Sequence, residues 1–158
     1  MTGVESAATA FEDYVLSGPP LDVILLSQIL EHAHDITRWL LKCREMLAVG
    51  GVLAIALPNF GSLARLVLQE REPFICPPEH LNFFTAASLK VLVEKHGFRV
   101  EATEWITRVP KSAFARRLPA VLQSAVPLIN AAAGLATRSI DAAHMGSVLR
   151  LYAQKIPS

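Results

Sequence analysis

Two short apolar runs that lack polar alternation stand out in the N-terminal half of the chain. Leu21-Asp22-Val23-Ile24-Leu25-Leu26 follows the breaker Gly18-Pro19-Pro20, and Val52-Leu53-Ala54-Ile55-Ala56-Leu57 is stopped by Pro58-Asn59. Continuous hydrophobicity over so few residues predicts strands buried on both faces, as in a parallel sheet. Between them Ile36, Trp39, Leu40, Cys43, Met46 and Leu47 recur at helical steps, with Asp35 placed to cap the start and Gly50-Gly51 to end the helix. Strand, helix, strand with short joints predicts a right-handed βαβ unit.

The pattern then loosens. Leu63, Leu66 and Val67 predict the inner face of a short helix, and Glu72 to Pro78, with three prolines, reads as a loop. Thr85 can cap a further helix whose apolar positions are Leu89, Leu92 and Val93, with Gly97 at its end. Phe98 to Trp105 and Ser147 to Gln154 read as strands. Between those two strands, apolar residues from Phe114 to Leu135 repeat at three- and four-residue steps, while Arg116, Arg117, Gln123, Asn130 and Arg138 lie off the stripe. This stretch is amphipathic. Pro119 suits a first turn, and Pro127 should kink or divide the helix.

Length and composition narrow the function classes. At 158 residues the chain is one domain's worth, and 52% hydrophobic residues exclude intrinsic disorder. Fifteen basic against fourteen acidic residues, with no basic run, disfavour a nucleic-acid partner. Cys43 and Cys76 are too few for a disulfide framework or a four-thiolate site. No signal peptide is evident, and the longest uncharged run, Leu118 to Thr137, carries prolines and polar residues unsuited to a membrane span. The expected compartment is the reducing cytoplasm.

Five pieces of the sequence, in order, resemble class I S-adenosylmethionine-dependent methyltransferases, in the subgroup that includes ubiquinone-biosynthesis O-methyltransferases. They are Asp22 to His32, Leu47 to Asn59, His80-Leu81-Asn82-Phe83-Phe84-Thr85 with Ser88-Leu89, His96-Gly97-Phe98, and Tyr152 to Lys155. The resemblance spans about residues 10–155 and implies a three-layer α/β fold, a partial Rossmann-like sheet flanked by helices. Asp22 to Ser27 would be the family's fourth strand, Val52 to Leu57 its fifth, and Phe98 to Trp105 and Ser147 to Gln154 its sixth and seventh. Residues before Phe11 hint at a third. The whole of 1–158 then reads as a single domain, with residues 110–145 as a helical insert.

The family's glycine-rich cofactor loop and the acidic residue that follows its second strand have no counterpart, since no Gly-x-Gly occurs. The chain therefore reads as such a domain without its first third. In the whole fold another strand lies beside the fourth, so Val23 to Leu26 is expected to form an apolar edge that recruits cover. That cover would be a second copy in a homodimer, which is the first expectation, a partner chain supplying the missing half, or residues 1–17 folded over the edge.

Candidate site residues follow from the resemblance. Ser27 and Gln28 lie at the carboxyl end of a parallel strand, where open α/β sheets bind ligands, and would line the S-adenosylmethionine pocket. His32 is a candidate general base, His80 a loop histidine on the substrate side, and Pro58 and Asn59 a turn beside the substrate. Glu12 and Asp13 match a segment that flanks the adenine in relatives. Each has a plainer reading, as capping residue, strand terminator or solvated acidic pair. Glu31-His32-x-His34-Asp35 suggests a metal, and some quinone O-methyltransferases use a Glu-x-x-Glu-His arrangement. Here Gln28 replaces the first carboxylate and helix capping accounts for Asp35, so no metal is expected. The 114–135 stripe could be a lid over a lipophilic substrate or a membrane-surface helix; a helical pair closing the core or a dimer interface is favoured. Two functions remain: methyl transfer to a small or lipophilic acceptor, once completed by a partner or dimer, or a non-catalytic remnant serving as a homodimeric interaction module.

Overall fold

A computed structural model describes residues 6–74, 76–107 and 126–157. Four strands form one sheet in the order β1-β2-β4-β3: β1 (Leu21–Ser27), β2 (Leu47–Pro58), β3 (Phe98–Ile106) and β4 (Val148–Lys155). The first pair is parallel and joined through helix α1 (Ile36–Met46), which gives the expected βαβ unit. Strand β4 runs antiparallel to both of its neighbours and sits between β2 and β3 in the sheet's interior. Helices α2 (Leu63–Leu68), α3 (Ala86–Lys95) and α4 (Val126–Ala142) complete the described elements.

Capping chemistry fixes the helix starts. Asp35 accepts from the Arg38 amide at 3.0 Å, and Thr85 and Ser88 form a reciprocal capping box. Gly97, at φ +83°, ends α3 where an L side chain would be strained and would also meet the Arg44 side chain. The end of α1 departs from expectation. The helix stops at Met46, and Gly50-Gly51 lies inside β2 rather than at a helix terminus. The reason is steric: a Cβ on Gly51 would stand 2.9 Å from the Ala48 carbonyl oxygen and 3.0 Å from that of Leu21. The glycine lets β1 approach β2 where their register shifts.

The core lies on one face of the sheet. Ile24, Leu26, Leu53, Ile55, Leu57, Leu149, Leu151 and Ala153 pack against Leu40, Cys43 and Met46 of α1 and Leu89 and Val93 of α3. The other face is open at β1, where Val23 and Leu25 are 59% and 64% exposed. Two-sided burial, which the unbroken apolar run predicted, is therefore not found for this strand. No strand precedes β1 among the described residues, so the hint of a third family strand is not realised there, and β1 is an edge. Residues 11–13 form a 3-10 turn that stacks Phe11 on Trp39 of α1 at 4.8 Å between ring centroids, away from the exposed Val23 and Leu25.

Two helices also differ from their predicted roles. Leu63, Leu66 and Val67 of α2 are exposed rather than inward, and Leu63 and Val67 border an open groove instead of the sheet. The described part of helix α4 runs from Val126, with Pro127 beside its first residue; whether Pro127 divides the longer stretch lies outside the described residues. None of its residues 131–142 is buried, which rules out core closure by that part of the stripe. Residues 110–125 of the expected insert lie outside the described residues.

Candidate functional site

At the carboxyl ends of β1 and β2 the backbone leaves the sheet in two turns that a third loop closes over. Gln28, at φ +55°, turns the chain out of β1 while its amide still donates to the Ala56 carbonyl at 2.7 Å. Leu30–His32 follows as a single 3-10 turn. Its Glu31 carbonyl accepts the amides of Leu81 at 2.9 Å and Asn82 at 3.0 Å, and the Asn82 side-chain amide donates to the Ala33 carbonyl at 2.8 Å. These bonds lock the proline-rich loop onto the turn. They explain why residues far apart in sequence meet.

The result is a histidine pair. His32 and His80 lie edge-on with ring centroids 4.7 Å apart. Each Nδ1 faces a backbone carbonyl, Glu79 O at 2.6 Å for His32 and Phe74 O at 2.8 Å for His80. A carbonyl can only accept, so each Nδ1 carries a proton, and in the neutral imidazole Nε2 is left with a lone pair. Below them sits Glu31, 1% exposed and with neither carboxylate oxygen hydrogen-bonded. Burial pushes its carboxyl above the usual range; its own backbone amide and the charges of His32 and His80 pull the other way.

Of the residues singled out from sequence, the structure thus brings His32 and His80 together, with Gln28 and Ser27 on the strand end that feeds the turn. Pro58 and Asn59 end β2. Asn59 is almost fully buried, donates to the Gly146 carbonyl at 2.8 Å and accepts the Gly61 amide at 2.9 Å, so its side chain is spent on tying its own turn to the loop before β4. Glu12 and Asp13 are likewise engaged, accepting from Trp39 Nε1 at 2.7 Å and Arg38 Nη2 at 3.1 Å on α1. Glu31 was considered in the sequence only within a linear cluster that its neighbour Gln28 weakened. The sign available was its position between Leu30 and Ala33, both of which are buried.

One hollow is lined in part by His80, and a second by neither histidine. A tight one of about 10 Å³ is lined by Asn59, Phe60, Arg65, Glu72, His80 and Phe83, with the Arg65 guanidinium 4.3 Å over the Phe60 ring. A wider, apolar groove of about 200 Å³ runs between α2 and α4 past Leu63, Val67, Leu68, Ile140 and Met145. It reaches Ser147, whose carbonyl accepts the Asn59 amide. Among the described residues no helix is long and apolar enough to cross a membrane.

Comparison with known proteins bears on the family and the fold. A family model described as a methyltransferase domain matches residues 4–103. A probable S-adenosylmethionine-dependent methyltransferase of Mycolicibacterium smegmatis is 31% identical over 83 residues, 52% of this chain and 30% of that protein. A ubiquinone biosynthesis O-methyltransferase of Mesorhizobium japonicum is 38% identical over 56 residues, 35% of this chain and 22% of that protein. These matches cover less than a third of either relative's length. Among solved structures, a SAM-dependent methyltransferase from Archaeoglobus fulgidus superposes with a TM-score of 0.61 at 20% identity, over 94% of this chain and 66% of that one.

Proposed function

The chain belongs to the methyltransferase domain family, and on that premise we propose that it transfers a methyl group from S-adenosylmethionine to a hydroxyl of a small or lipophilic acceptor, as part of a larger assembly in a reducing cytoplasm. The observation that carries this reading is the His32–His80 pair at the carboxyl ends of two parallel strands, each ring held through Nδ1 on a backbone carbonyl.

The described residues fit one side of the cofactor pocket. Ser27 and Gln28 stand where the cofactor would approach β1, and Gln28 already holds the left-handed turn that opens the strand end. Glu12 and Asp13 are bound to α1 through one oxygen each, and the family resemblance supports them as the adenine side of the pocket. S-adenosylmethionine supplies an electrophilic methyl on a positively charged sulfur. The protein's own work is positioning and proton removal: one imidazole Nε2 takes the acceptor's hydroxyl proton as the new carbon–oxygen bond forms and the carbon–sulfur bond breaks. Pro58 and the backbone fixed by Asn59 shape the acceptor side, and the apolar groove between α2 and α4 suits a lipophilic tail.

The open face of β1 supports a homodimer, or a partner chain, that completes the other side of the pocket. Titration calorimetry with S-adenosylmethionine and S-adenosylhomocysteine, over chain concentrations that span any self-association, tests the proposal. Binding that strengthens with assembly is expected, followed by methyl transfer that His32→Ala weakens. Silence with both ligands at every concentration would favour the second reading, a dimeric interaction module, to which the same exposed Val23 and Leu25 would contribute.

A further inference from the structure

The tight hollow that His80 helps to line is walled by polar side chains already held by hydrogen bonds, with one exception. Asn59 bonds the Gly146 carbonyl and the Gly61 amide, and the Asn82 side-chain amide donates to the Ala33 carbonyl. His80 Nδ1 donates to the Phe74 carbonyl, and one Glu72 oxygen accepts the Phe74 amide at 2.7 Å. Arg65 stands in the same wall, and its guanidinium makes no hydrogen bond or ion pair among the described residues. Its Nε is out of contact with water and without a partner. The Phe60 ring, 5.2 Å from that of Phe83, covers the guanidinium at 4.3 Å. A ring in that position offsets part of the cost of desolvating a cation. It takes up the flat face of the guanidinium, whereas the N–H donors lie in the plane and are left for another partner.

We propose that Arg65 binds a carboxylate of the acceptor in this hollow, so that the molecule methylated is a hydroxylated organic acid and not a neutral alcohol. Shape, size and charge select that group. A planar carboxylate meets two in-plane guanidinium donors at once, in short charge-assisted bonds. The space is about 10 Å³, close to what a single water needs; it admits a carboxylate oxygen and is too small for a tetrahedral phosphate or sulfate. Glu72, buried in the same wall, opposes a second negative charge beside it, which favours a singly charged anion. Phe83, exposed at the same hollow, offers apolar contact to the carbon skeleton that leads outward. The role of the site rests on the methyl-transfer reading: His80 shares the wall, so an acid anchored at Arg65 brings its hydroxyl to the histidine pair. Binding of the carboxylate does not depend on that reading and is tested without it.

The experiment titrates the full chain, without cofactor, with benzoate, benzamide and phenyl phosphate, read by calorimetry and by the arginine Nε–H signals in proton–nitrogen correlation spectra. Benzoate is expected to bind and to shift the Arg65 signal, which Arg65→Lys identifies by its loss. Its uncharged isostere benzamide and the bulkier dianion should each bind at least about tenfold more weakly, the loss of one charge-assisted hydrogen bond. Arg65→Lys keeps the charge but not the planar fork, so it should also lose about tenfold for benzoate. Arg65→Gln should bring benzoate down to the level of benzamide, while Arg71→Gln, at an exposed arginine just beyond α2, leaves binding unchanged. The comparison of benzoate with benzamide uses the parent chain alone, so a misfolded variant cannot imitate the result. Benzoate binding no tighter than benzamide, phenyl phosphate binding tighter than benzoate, or unaltered benzoate binding by Arg65→Gln overturns the proposal. Benzoate binding beside a silent cofactor titration keeps the carboxylate site and removes methyl transfer; the reverse removes the site and leaves methyl transfer to an uncharged acceptor.

Discussion

The two faces of the sheet are built from the same kinds of residue and meet different fates. On the α1/α3 face, Leu26, Leu53, Ile55 and Leu151 are no more than 2% exposed, and they interlock with two helices whose apolar positions repeat at the same spacing. On the opposite face Val23 and Leu25 alternate with buried Ile24 and Leu26 along one strand, yet face outward. An apolar residue on a strand is therefore a statement about what the sheet is meant to meet, and only one of the two layers is supplied by the described residues. An edge strand with such a face is the feature that proteins ordinarily cover.

The largest expected effect tests the closed face. Leu53→Ala or Leu151→Ala removes a fully buried side chain from a central strand and should cost about 2–5 kcal/mol in urea unfolding, the range for cavity-forming core substitutions. A loss as small as that of an exposed-face substitution would mean that the closed face is not the core. Next comes the seam between edge and centre. Gly51→Val places carbon against two backbone carbonyls that cannot swing aside, so it should cost about 1–3 kcal/mol and loosen β1 before the rest of the sheet. Hydrogen exchange of the β1 amides would reveal this; uniform loosening of all four strands would contradict it.

The third test concerns the polar exception. Glu31 has its carboxyl raised above the usual range by burial, so between its unfolded value and its folded one the native state binds more protons than the unfolded state. Stability must then fall as pH rises through that window. Glu31→Gln abolishes this component: its advantage over the parent should be absent below the carboxylate range and grow toward neutral pH. The groups facing Glu31 are His32 and His80, and positive charge on them works against the shift. Urea midpoints at a series of pH values measure the difference, and a gap that does not vary with pH would refute the assignment.

How much of this was legible in the sequence follows from the range of the interactions. Both helix caps and the Gly97 terminus are local and legible from Asp35, Thr85 and the end of an apolar period, and the βαβ unit is legible from the order of apolar runs and periods along one continuous stretch. The resemblance to methyltransferases correctly supplied the family and the roles of the strands. The end of α1 was misplaced because Gly50-Gly51 answers to a carbonyl of Leu21 on another strand, which no local rule contains. The burial of β1 was overstated for the same reason. A continuous apolar run reports a preference for two covered faces, and the second cover has to come from elsewhere. The histidine pair was named but not joined. His32 and His80 were assigned separately, and only the bonds from Leu81 and Asn82 to the Glu31 carbonyl bring them together over that carboxylate.

The smallest effect on stability belongs to the open face, and it separates a surface from an interface. Val23→Ser and Leu25→Ser change side chains that already lie largely in water, so the stability of the unassembled chain should move within about 0.5 kcal/mol, as for ordinary surface sites. Self-association should respond quite differently. If a second copy covers this face, both substitutions replace apolar area at the contact in both protomers at once, because a two-fold interface uses the same patch twice. Sedimentation velocity at matched concentrations should then show the dimer giving way to monomer, with urea midpoints measured on dilute chain unchanged. A parent that stays monomeric across the whole range would reject the homodimer and leave a different chain as the cover. A dimer that survives both serines would place the contact away from β1, and the open face would then be the side on which the rest of a methyltransferase assembles.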